Sequence, residues 1–161
     1  MIENLVQQKQ ITREEADVIF IKDFVTYGKT DLYQRMKRAA LEGKLYREQQ
    51  FVVGFTESEI ENYEQAAKKT GETGVIEKLS EVEKEGDIVL IQGVIDAYFV
   101  EDDKICIVDY KTDSVNDESQ LETDYYIQLK LYADALSKIT GMPVEQMIIY
   151  STKLGKEIKL I

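Results

Sequence analysis

The apolar positions of the first 43 residues recur at helical spacing. Thr12-Arg13-Glu14-Glu15 has the form of a capping box: the Thr12 hydroxyl accepts from the Glu15 amide and the Glu15 carboxylate reaches back. Ala16, Ile19, Phe20, Phe24 and Tyr27 then follow at helical spacing, and Gly28 stops the run. Thr30 is a second candidate N-cap, ahead of a stripe of Leu32, Met36 and Ala40 that ends at Gly43. From Tyr46 to Phe55 the character changes, and Phe51, Val52 and Val53 between polar neighbours predict a strand. Residues 57 to 87 are polar and rich in Glu and Lys, with breaks at Gly71, Gly74 and Gly86. They predict one or two short solvated helices with mobile joints.

Two apolar runs follow, Ile88 to Val100 and Ile105 to Tyr110, joined by the polar turn Glu101-Asp102-Asp103-Lys104. Their Val and Ile content and their length predict the strands of a hairpin. A helical pattern returns from Asp117 to Thr140, closed by Gly141 and Pro143. Val144 to Ser151 reads as a strand, and Glu157 to Ile161 as a short edge strand. Helices, strand, hairpin, helix and strand in that order predict an α/β sandwich around one mixed sheet. Residues 1–161 are read as a single domain, with a helical flank at 1–43 and a core at 44–161 that carries 57–87 as a polar insertion.

Composition narrows the chemistry. The 161 residues include no His, no Trp and one Cys. One cysteine makes no internal disulfide, thiolate zinc site or iron–sulfur cluster. Without His there is no serine–histidine or cysteine–histidine catalysis, and none of the usual zinc sites. Oxygen ligands remain, and they suit Mg²⁺, Mn²⁺ or Ca²⁺. With 31 acidic against 20 basic side chains the net charge is −11, which weighs against nucleic acid as a partner. No apolar run approaches the roughly 20 residues of a membrane span. Met1-Ile2-Glu3-Asn4 lacks the basic and apolar regions of a signal peptide, so the cytoplasm is the expected compartment.

Two acids stand out within the apolar strands. Asp96 lies inside the first, where an ionised carboxylate is costly to bury unless it is paired, hydrogen-bonded or metal-bound. Asp109 ends the second, and Lys111 shares its face by the period of a strand. A turn centred between Asp102 and Asp103 pairs Glu101 with Lys104, Val100 with Ile105 and Asp96 with Asp109. Two facing carboxylates share a proton or are bridged by a cation. In the plainer alternative, Asp96 bonds a backbone amide and Asp109 forms an ion pair with Lys111. Gly93 marks either a bulge or a close approach of another group. On the following helix Gln128 and Tyr132 are four apart, on the face of Leu121, Tyr125, Ala135 and Ile139, which is read as the inward one. They either contact a ligand or pack with satisfied hydrogen bonds. Cys106 falls on the face opposite Asp109 and reads as an inert buried thiol.

Gly93-Val94-Ile95-Asp96, Val108-Asp109-Tyr110-Lys111-Thr112-Asp113 and Tyr126-Ile127-Gln128-Leu129-Lys130-Leu131-Tyr132-Ala133 resemble the three motifs of RecB-type nuclease domains in the PD-(D/E)xK superfamily. Within that group the chain most resembles the C-terminal nuclease domain of AddA-type subunits of AddAB helicase–nucleases. Leu32-Tyr33-Gln34-Arg35 and Tyr46-Arg47-Glu48-Gln49-Gln50-Phe51 add to the likeness. The resemblance implies a restriction-endonuclease-like core and a Mg²⁺- or Mn²⁺-dependent DNA nuclease. That nuclease would act within an ATP-dependent helicase–exonuclease in double-strand break repair. Asp96 and Asp109 would be metal ligands with the Tyr110 carbonyl, Lys111 the catalytic lysine, and Gln128 and Tyr132 the residues beside them. The implied partners are DNA, as single-stranded ends, a helicase domain in the same native chain and an AddB-type subunit.

Two departures accompany the likeness. Ile95 stands where the superfamily name has proline. The metal-binding His that many such nucleases carry upstream of the first strand is expected to lie outside this chain. Glu48 is a candidate substitute carboxylate, or else a solvent-facing strand residue. Bound Mg²⁺ would reduce the negative charge of the Asp96–Asp109 pair, and much of the remaining acidity lies between Glu57 and Asp87, which reopens DNA as a partner. The competing reading is an inactive nuclease-fold module that docks partners or guides DNA. A stand-alone exonuclease of the CRISPR-associated type would carry a cysteine cluster, which the single Cys106 does not provide.

Overall fold

The computed structural model describes residues 2–10, 12–17, 21–72, 83–85, 87–112, 115 and 117–161. The helical flank consists of α1 (Ile2–Gln7), α2 (Arg13–Asp17), α3 (Ile21–Gly28) and α4 (Asp31–Leu41). Ile19, Phe20 and the Glu15 side chain, on which the first helical reading partly rests, lie outside the described residues. Thr30 caps α4 as expected, its side chain accepting from the Tyr33 amide. The buried stripe of α4 runs through Leu32, Arg35, Met36 and Ala39, while Ala40 is exposed. Arg35 explains this rotation of the face. Its guanidinium is buried against the Phe99 ring and bonded to Glu101, so an arginine occupies an inward position that hydropathy assigns to solvent.

Strand β1 (Leu45–Thr56) leads directly into α5 (Glu57–Thr70). Thr56 and Glu59 form the capping box of α5, and Gly71 ends it in the left-handed region at φ 82°. This helix is more than a solvated element, because Ile60 and Ala67 are buried in the main core. A short strand β2 (Glu83–Glu85) follows, which the polar composition did not predict. Gly74 and Gly86 lie outside the described residues. Strands β3 (Ile88–Glu101) and β4 (Lys104–Lys111) form the expected hairpin. Both turn residues, Asp102 and Asp103, have positive φ (51° and 59°), as the tight two-residue hairpin turn of this hand requires. Helix α6 (Glu118–Thr140) is capped by Asp117 and closed by left-handed Gly141. Strands β5 (Val144–Ser151) and β6 (Lys156–Lys159) complete the chain.

Among the described residues the strands make one mixed sheet in the order β1-β3-β4-β5-β6, with β2 pairing β3. All pairs are antiparallel except β4 with β5, whose parallel pairing needs a crossover, supplied by α6. Alternation along β4 sends Ile105 and Ile107 into the core under α5 and α6, and Cys106 and Val108 into a second core under α4. Helices thus cover both faces. At the end of α6 the inward line passes through Leu129, Ala133 and Leu136 to half-buried Thr140. That leaves Ile139, expected inward, 52% exposed.

Candidate active site

The β3–β4 ladder pairs Glu101 with Lys104 through to Ala97 with Val108, the expected register. It stops one step short of Asp96 and Asp109. There Asp96 Oδ2 accepts the Tyr110 amide at 2.9 Å, in place of a main-chain acceptor. The cause lies in side-chain alternation. Ile91 and Ile95 share their core with Tyr98, three residues beyond Ile95, so alternation breaks between them. Strand β1 breaks at the same level: Phe51 and Phe55 line that core, and Tyr46 stacks on Tyr98 at 4.6 Å. Glu48 takes φ 49° at this break, between the pairs Arg47–Ala97 and Gln49–Ile95. The irregularity therefore crosses both strands and falls at Glu48 and Asp96.

Gly93 lies within a regular register opposite Phe51, so of its two readings the close approach applies. A Cβ there would meet the Phe51 ring at 2.9 Å and Tyr132 at 3.5 Å. Those rings contact each other edge to face, with centroids 5.4 Å apart. Gln128 Nε2 donates to the Tyr132 hydroxyl at 3.2 Å, so the two α6 residues form one unit over the β3 strand.

Asp109 is 6% exposed. Lys111 Nζ lies 2.9 Å from Asp109 Oδ2 and 3.9 Å from the centre of the Tyr125 ring. The ammonium is thus bracketed by a carboxylate and the electron-rich face of an aromatic ring. Tyr110 points to the opposite face, where its hydroxyl is 2.8 Å from that of Tyr27 on α3. Burial and this hydrogen bond push the Tyr27 phenol well above the usual range, so it stays protonated. Cys106 is buried beneath Arg35, and burial pushes its thiol up, which fits an inert side chain. Asp113 lies outside the described residues.

One member of this neighbourhood escaped the sequence reading. Glu72, 4% exposed, accepts the amides of Ile127 at 2.8 Å and Gln128 at 2.7 Å. Burial raises its carboxyl pKa; the two amide bonds act against that rise, Asp124 adds to it, and Lys111 opposes it. In sequence it is one acid in a charge-rich run, 55 residues from its nearer partner, and its only local mark is the helix-ending Gly71 before it.

The donors at Asp96 and Asp109 are hard oxygens, joined by the main chain of Tyr110 between the two. That chemistry suits a hard divalent cation. Among the described residues no group of three His, Cys, Asp or Glu side chains is arranged to hold a metal. Glu48, exposed on β1, is therefore not gathered with the acid pair into such a group.

Asp96, Asp109 and Lys111 thus lie where the β3–β4 ladder ends, and the Gln128–Tyr132 pair of α6 packs over β3. Residues 2–159 match the model of the PD-(D/E)XK nuclease superfamily, and the chain belongs to that superfamily. It is 35% identical over 177 residues to the AddA-type ATP-dependent helicase/nuclease subunit of Lachnoclostridium phytofermentans, covering 99% of this chain and 13% of that protein. The corresponding helicase/nuclease subunits of Alkaliphilus metalliredigens and Clostridium perfringens are 37% and 35% identical, over 98% and 97% of the chain. The chain spans 11–13% of the length of these relatives.

Proposed function

We propose that this chain hydrolyses phosphodiester bonds in DNA, with Mg²⁺ or Mn²⁺ held by Asp96, Asp109 and the Tyr110 carbonyl. The observation that carries the reading is the Asp96–Asp109–Lys111 geometry in a chain of the nuclease superfamily. The metal, when bound, supplies Lewis acidity toward the phosphate and its attacking water. Lys111 offers an ammonium beside Asp109, where it neutralises charge growing on the phosphoryl oxygens and orients the water. Gln128 and Tyr132, a bonded pair on α6 that packs over β3 at Gly93, orient the phosphate in this reading. The water attacks directly, which needs no side-chain nucleophile and suits a chain without His.

The relatives' description as helicase/nuclease subunits supports a place within an ATP-dependent helicase–exonuclease acting at broken double-strand ends. In that reading a helicase domain belongs to the same native chain, an AddB-type subunit is the partner, and single-stranded ends are the substrate. The test is Mn²⁺ titration and cleavage of single-stranded DNA by the native protein that carries this chain. Asp109→Ala should lower cleavage more than about 100-fold and weaken Mn²⁺ binding. Equal cleavage by wild type and variant overturns the assignment. The inactive-module reading draws on the protein partners that Asp96 and Asp109 already have, the Tyr110 amide and Lys111. Metal-dependent cleavage that requires Asp109 excludes it.

A further inference from the structure

Interior amides of an α-helix ordinarily donate to the carbonyl four residues back. In α6 the amides of Ile127 and Gln128 reach a carboxylate, that of Glu72. Two consecutive amides on one acceptor are the arrangement of a helix's first turn. The stretch of α6 from Ile127 onward therefore presents the positive end of its peptide dipoles to a buried anion. Gln128 lies in the first turn of that stretch, and Tyr132 one turn later. Glu72 thus holds the backbone of Gln128 itself, which sets the height and direction of its side chain. Tyr125, whose ring carries the Lys111 ammonium, belongs to the turn just before. The clamp reaches the site from outside the three motifs, from the segment that follows α5.

We propose that Glu72 is a positioning residue of the phosphodiesterase site, clamping α6 at Ile127 and Gln128 so that the Gln128–Tyr132 pair is held over β3. The inference rests on the nuclease reading above. Glu72 does not touch the reacting atoms; it acts through Gln128. A carboxylate that merely stabilised α6 would change the melting temperature, and its loss would combine independently with the loss of the Gln128 side chain.

The experiment measures kcat and KM for single-stranded DNA at saturating Mn²⁺ in the native protein that carries this chain. It compares Glu72→Gln, Gln128→Ala, the double variant and Asp109→Ala. Glu72→Gln should lower kcat about 10- to 100-fold, the scale seen when a supporting partner is removed, with KM and Mn²⁺ affinity changed less than about threefold. The double variant should be no slower than the slower single one, because both act through one group. Glu72→Asp, which keeps the charge but draws it back from the amides, should be impaired as well. In wild type, hydrogen exchange at the Ile127 and Gln128 amides should be slower than in the first turn of α6, a reading that needs no variant to fold. Wild-type kcat in Glu72→Gln, losses that multiply in the double variant, or unprotected amides in wild type each overturn the inference. Cleavage that requires Asp109 but not Glu72 overturns this inference alone. The absence of any cleavage that requires Asp109 overturns the nuclease reading, and the positioning role with it.

Discussion

The two faces of β4 divide labour within eight residues. Toward α6, Asp109 and Lys111 hold charges against a carboxylate and a ring face, beside half-exposed Asp96. Toward α4, Cys106, Val108 and Tyr110 sit in a closed layer with Leu32, Met36 and Phe99. There the Tyr27 and Tyr110 hydroxyls bond each other and both point toward Met36 Sδ, and the buried Arg35 guanidinium is paired with Glu101. Under the proposed nuclease function, one strand serves chemistry and rigidity together, since alternation assigns each residue to one task. Tyr110 joins the two faces: Asp96 grips its amide on one side and Tyr27 its hydroxyl on the other.

The sharpest way to break this division is Lys111→Ala. We expect a loss of about 10²- to 10³-fold in cleavage rate, as for removal of one electrostatic stabiliser. Melting should fall as well, because the substitution leaves buried Asp109 without the Lys111 ammonium, but the loss of rate should dominate. A variant that melts far lower and retains its rate would abolish the distinction between the faces. Next comes Gly93→Ala, whose Cβ would meet the Phe51 ring at 2.9 Å. Overpacking of this kind costs about 1–3 kcal/mol, read as a shift in the denaturation midpoint. Cleavage should fall too, since the displaced ring packs on Tyr132.

Tyr27→Phe removes the hydroxyl bond to Tyr110 on the closed face. We expect a loss of about 1 kcal/mol in urea unfolding and cleavage within a few-fold of wild type. A loss of activity as large as that of Lys111→Ala would show that the closed face takes part in chemistry. The smallest effect concerns pH. Burial holds the Glu72 carboxyl above its ordinary value of 4.5. A raised carboxyl pKa stabilises the fold most below the unfolded value, and that contribution is lost as pH rises through the folded value. Wild type should therefore lose stability relative to Glu72→Gln as pH climbs from about 4.5, measured by denaturant melts at a series of pH values.

Local signals account for what was legible in the sequence. The short Asp102–Asp103 turn fixes the hairpin register from Glu101–Lys104 to Ala97–Val108, but the expected pairing of Asp96 with Asp109 is not made, because the ladder stops one step short of them. Caps at Thr30, Asp117 and Gly141 mark α4 and α6 because each acts within a few residues. The break at Glu48 and Asp96 was not legible, since it requires two strands to lose alternation at the same level. Nor was Glu72: its partners are amides, which every non-proline residue carries, and nothing in their side chains signals the contact. The rotation of α4 from Ala40 to Ala39 depends on Arg35 finding Glu101 on β3, again a distant partner.

The two-residue turn between β3 and β4 has a bearing on the order in which the molecule assembles. Closing so small a loop costs little chain entropy, and hairpins form on a microsecond scale. Asp96, Asp109, the Tyr110 amide and Lys111 all belong to that one hairpin. The acids, their amide donor and their counter-ion can therefore meet before the parallel strand β5 is recruited across α6. Mutual repulsion of the carboxylates is offset by groups that arrive with them. The slower, non-local step then brings Gln128 and Tyr132 onto β3 after the acids have met their partners.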